Sequence, residues 1–180
     1  MALVVFLRGR NVGGFKTFRP KLLAEQLKRY DVINVGAAGT FVVRKPIGHA
    51  KFRADLLRSL PFEPDIMICE GRDLIRVVAL NPFAQEGPVT SDIVRFVSIL
   101  ARRPRRARSI PINLPAEGDW GLRIIGMEGR FLFGLYRRQM KAISYLGAID
   151  ALFGMPATTR NWNTINTVIK VLELSPSPAA

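Results

Sequence analysis

Leu7-Arg8-Gly9-Arg10-Asn11-Val12-Gly13-Gly14-Phe15-Lys16-Thr17 is the segment of this 180-residue chain best suited to hold an anion. An apolar run ends there, three glycines free the backbone to present N–H groups, and a helix is predicted to begin near Pro20. Arg8, Arg10 and Lys16 add positive charge to the same corner, with Asn11, Gly13 and Gly14 as further lining. The plainer reading is a glycine-rich turn whose basic side chains face water. The segment is not a nucleotide-hydrolysing P-loop. Gly9 and Gly14 have the spacing, but Phe15 stands where the lysine must be and Lys16-Thr17 comes one residue late.

Two other segments carry polar chemistry. Arg102-Arg103-Pro104-Arg105-Arg106-Ala107-Arg108 sets five arginines in seven residues. A proline-broken basic stretch either contacts phosphates, nucleic acid above all, or is a loop whose like charges water screens. Thr158-Thr159-Arg160-Asn161-Trp162-Asn163-Thr164 leads into the last predicted helix. Asn161 or Asn163 suits its N-cap, Trp162 can cover the core, and Arg160, Asn161 and Trp162 together form a candidate polar corner. Phe41 and Val42 sit where RNA-binding ferredoxin-like domains place stacking residues, but Phe41 reads as core.

Other chemistries lack their parts. His49 is the single histidine and Cys69 the single cysteine, the latter inside an apolar run. No catalytic residue, metal site or cofactor is assigned, and the reading leans toward a binding protein over an enzyme.

The elements that must position these residues are clearest in the first half. Leu3 to Leu7 reads as a strand, Pro20 opens a helix, and Val32–Val35 and Thr40–Arg44 are strands around a Gly36–Gly39 turn. A helix from Gly48 stops at Pro61, and Asp65–Glu70 is a fourth strand. The order β-α-β-β-α-β is the split plan of ferredoxin-like folds. The second half predicts a helix over Arg72–Leu80, a strand over Ile93–Leu100 and a hairpin of Leu122–Met127 with Phe131–Tyr136. Helices over Ala142–Phe153 and about Asn163–Leu174 follow. The expected class is α+β: a ferredoxin-like subdomain over 1–81, a linker over 82–91, a second α+β subdomain over 92–174 and a disordered tail over 175–180.

Composition fits a globular protein: 48% of residues are hydrophobic and 23% charged, which excludes a mainly disordered chain. One thiol forms no internal disulfide, as suits a reducing compartment. The apolar stretch Ala2–Leu7 is too short for a signal peptide, and no run reaches the ~20 apolar residues of a membrane helix, so a cytoplasmic protein is expected. Charge is the departure from the ordinary. Lysine and arginine total 27 against 14 acidic residues, for a formal +13. Residues 1–90 hold 14 basic and 8 acidic side chains and residues 91–180 hold 13 and 6, so the excess belongs to no single tail. Such a field concentrates polyanions; a compositional drift toward arginine is the competing explanation.

Leu7 to Gly14, then Asn81-Pro82-Phe83, then Ala157 to Thr164 resemble, in that order, the hallmarks of a bacterial family catalogued as domain of unknown function 1697. The resemblance spans nearly the whole chain. It implies two α+β subdomains related to the ferredoxin-like fold, and it implies no activity, cofactor or catalytic residue. This chain departs from the family pattern at Arg10, at Ala38-Gly39-Thr40 and at Arg137-Arg138-Gln139-Met140-Lys141. The expectation is an anion-binding protein, its site between the subdomains, taking nucleic acid or a small phosphorylated or carboxylated metabolite. The alternatives are a small enzyme acting on an anionic metabolite without metal or covalent catalysis, and a protein-interaction module.

Overall fold

The computed structural model describes residues 1–9, 19–46, 48–106 and 108–174. It shows a mixed α/β protein with two antiparallel sheets and, among the described residues, five α-helices. Contacts divide the chain into two units: Met1–Arg76 together with residues from Asn166 onward, and Val77–Ile165.

In the first unit, β1 (Leu3–Gly9) is followed by α1 (Pro20–Gln26), a 3-10 turn (Lys28–Tyr30), β2 (Val32–Val35), β3 (Thr40–Val43), α2 (His49–Ser59) and β4 (Pro64–Glu70). The sheet order is β2-β3-β1-β4, all antiparallel. The continuous apolar run of β1 is buried on both faces, as a central strand requires. Leu3, Val5 and Leu7 point to one core with Leu23 and Leu27 near α1 and Phe52 and Leu56 of α2. Pro20 stands at the first turn of α1, where its missing N–H leaves no bond unmade. Gly48 takes φ 70° just before α2, a conformation that strains any residue with a Cβ. Helix α3 (Gly71–Ala79) follows β4 with no intervening residue.

In the second unit, β5 (Ile93–Leu100), β6 (Ile112–Leu114), β7 (Leu122–Glu128), β8 (Phe131–Arg137), α4 (Ala142–Phe153) and β9 (Ala157–Asn161) lead into α5 (Trp162–Glu173). The order β6-β7-β8-β5-β9 repeats the first sheet's plan. β5, β7, β8 and β9 take the places of β1 to β4, and α4 takes the place of α2. What stands in the place of α1 is residues 101–121, which carry the arginine run and the short edge strand β6. Phe96, Leu100, Ile124 and Leu132 pack with Ile149 and Phe153 of α4, and Ile110, Ile112 and Leu114 lie partly buried against that cluster.

The structure corrects the sequence reading at two elements. Thr158 to Asn161, read as a polar lead-in to the last helix, belong to β9, an edge strand paired with β5. Two consecutive β-branched threonines favour that extended backbone. Strand β6 was not expected at all; three residues carry too short a pattern for alternation to show. The contact boundaries fall inside α3 and α5, away from residues 82–91, and no helix among the described residues is long and apolar enough to cross a membrane.

Candidate functional site

The arginine run forms a pocket. Arg102, Arg105, Arg106 and Arg108 line a cavity of about 460 Å³ with Pro104, over a floor of Phe153 and Met155. Arg103 is exposed outside that lining. The floor comes from the end of α4 and the residue two beyond it, where Gly154 in the left-handed conformation (φ 64°) stops the helix. Proline and like-charge repulsion keep residues 101–106 from forming a helix or strand.

Its electrostatics are one-sided. Among the described residues no carboxylate lines the pocket, and none of its arginines is ion-paired with one. The C-terminus of α4 supplies about half a negative charge, against four guanidinium groups. The Arg108 Cζ lies over the Phe153 ring, 5.5 Å from its centroid. A second cavity, about 510 Å³ at the start of α1, sets Arg19 and Lys21 beside Glu25, so its own lining offsets part of its charge.

The other candidates have structural partners. Arg8 lies opposite Asp65 in the β1–β4 register, and its Nε and Nη2 donate to Asp65 Oδ2 at 3.2 and 2.8 Å. Arg10, Asn11, Gly13, Gly14 and Lys16 lie outside the described residues. Arg160 is buried on β9; its Nη1 donates to Thr158 Oγ1 at 2.9 Å and to the Thr159 carbonyl at 2.8 Å. Burial pushes its pKa down to about 10. Asn161 Oδ1 accepts from the Thr164 N–H at 2.8 Å and from its hydroxyl at 2.9 Å, the cap expected for α5. Trp162 packs edge-on against Phe83, with ring centroids 4.9 Å apart. No family model, curated protein or solved structure matches the chain.

Phe41 and Cys69 are buried, and His49 is exposed at the first turn of α2. Among the described residues no group of three or more His, Cys, Asp or Glu side chains is placed to hold a metal.

Sequence reasoning missed two clusters. Asp55, buried in α2, accepts from the Tyr30 hydroxyl and from Arg29 and Arg58. Only the Asp55–Arg58 spacing, one helical turn, was visible in advance. Trp120 has Arg123 and Arg137 stacked on it at 4.9 and 4.7 Å. Arg137 Nε also donates to the Trp120 carbonyl, fixing the turn before β7.

Proposed function

We propose that this protein binds a phosphate-bearing polyanion at the pocket formed by Arg102, Arg105, Arg106 and Arg108. The observation that carries the reading is four arginines lining one cavity to which, among the described residues, no acid contributes. Guanidinium groups make bidentate, charge-assisted bonds to phosphate oxygens and remain charged at every physiological pH. The formal +13 spread over both halves of the sequence steers such a ligand toward the surface.

We also read the first unit as ferredoxin-like and the second as a variant of the same plan without its first helix. The shared order β2-β3-β1-β4 and β7-β8-β5-β9 supports this. Membership of the family catalogued as domain of unknown function 1697 stays our proposal on the three motifs.

Inorganic polyphosphate is the probe that tests the site. The triple variant Arg102→Glu, Arg105→Glu, Arg106→Glu is expected to weaken its binding about a hundredfold at moderate salt. The slope of log affinity against log salt should also flatten by about 2, at ~0.7 for each phosphate no longer neutralised. Lys28→Glu, Lys45→Glu, Lys51→Glu removes the same charge from exposed positions of the first unit and serves as control. Equal losses in the two triples would show a general charge effect and no site.

A further inference from the structure

We infer that the ligand of the arginine pocket is single-stranded nucleic acid, with one base stacked on the Arg108 guanidinium; this rests on the polyanion reading above. Arg108 is exposed, and its guanidinium is backed by the Phe153 ring. A planar cation held on an aromatic ring is a stacking platform, since guanidinium planes accept bases as aromatic side chains do. Arg102, Arg105 and Arg106 line the same pocket, so their charges are available to the phosphates that flank such a base.

Shape separates single strands from duplex. A duplex keeps its bases inside the stack and offers a protein its phosphates and groove edges. Reading a groove takes an inserted helix or β-ribbon, and residues 101–106 form neither. A recess of about 460 Å³ floored by Phe153 and Met155 instead fits a base that has left the stack, which only an unpaired strand presents without a melting penalty. Charge argues against a lone small phosphate as the natural ligand. Four arginines exceed the charge of one phosphate group, whereas successive phosphates of a strand neutralise them in turn. No base edge is matched by a fixed hydrogen-bonding side chain in the lining, so binding is expected to be tolerant of sequence.

Arg108→Lys separates stacking from charge, because lysine keeps the positive charge and loses the plane. Fluorescence anisotropy of the full chain would be measured with a labelled single-stranded oligouridylate, an RNA duplex of equal length and inorganic polyphosphate. Arg108→Lys is expected to weaken oligouridylate binding roughly tenfold and polyphosphate binding only about twofold, because the charge stays and a single bidentate phosphate contact is lost while the stacked base loses its plane. Wild-type protein should prefer the single strand to the duplex at the same salt. Arg108→Lys acting equally on both ligands, or on neither, overturns the stacking inference while leaving the polyanion site intact. So does duplex binding as tight as single-strand binding. If the arginine-to-glutamate triple leaves polyphosphate binding untouched, the underlying site itself is wrong, and that outcome is read independently of Arg108.

Discussion

Replacing Gly134 with alanine is expected to lower the melting temperature by about 6–12 °C. Gly134 sits mid-strand in β8, paired with Ile124 on one side and Phe96 on the other. A Cβ there would run into the fully buried Phe96 ring and lie 2.6 Å from the Arg123 carbonyl oxygen. The ring can shift only by disturbing the core beneath α4, and the carbonyl is held in the β7–β8 ladder. Overpacking of this kind costs about 3 kcal/mol. Phe96→Leu placed in the Gly134→Ala background should recover part of the deficit, since it clears the ring and leaves only the clash with the carbonyl. Thermal unfolding followed by circular dichroism checks both; an unchanged melting temperature for Gly134→Ala would contradict this strand geometry.

Asp55→Ala is the second large effect. Its carboxylate gathers the Tyr30 hydroxyl, Arg29 and Arg58, tying the 3-10 turn to α2. Removing it leaves a fully buried phenol hydroxyl without that acceptor, and unfolding should come about 3–10 °C earlier. Tyr30→Phe with Asp55→Ala should cost less than the two single changes added, because the pair shares one bond. The hydrogen bond from Tyr30, then the charges of Arg29 and Arg58, hold the Asp55 carboxyl below its ordinary 3.8 against the opposing pull of burial. The native state therefore binds this proton less readily than the unfolded chain. The stabilisation is complete above about pH 4 and is lost as pH falls through the lowered native value. Tyr30 behaves in the opposite sense. Its bond to Asp55, followed by burial, raises its pKa above 10.0, so its contribution is present below that value and fades as pH rises through the native one. In Asp55→Ala both arms of the pH–stability curve should flatten, and tyrosinate absorbance should appear at lower pH.

Long-period features were legible in the sequence. The β1 run, the Pro20 start, the Gly154 stop and the i, i+3, i+4, i+7 pattern of Ile165, Val168, Ile169 and Leu172 each rest on local physics that packing did not override. The repeated strand plan was invisible because backbone order needs no shared side chains: the buried Val5 of β1 and Ser98 of β5 both satisfy a central strand. Of the candidate site, the arginines were legible as charge, but their pocket was not. Phe153 and Met155 sit about 45 residues further on, and nothing in a linear pattern announces that a helix end will floor a loop. The pairing of Arg8 was hidden for a related reason. Asp65, its cross-strand neighbour, is 57 residues away, so the sequence exposed the cation and hid its counter-ion.

The first unit draws residues from both sides of the second, since the part of α5 from Asn166 onward belongs with Met1–Arg76. Leu172 lies against Gly71, whose N–H is bound to the Ala2 carbonyl. During synthesis this seam cannot close when Gly71 leaves the ribosome, because its apolar cover, about a hundred residues further along, has not yet been translated. The first unit is thus completed only after Val77–Ile165 has been translated, and until then that edge of the nascent chain awaits its lid.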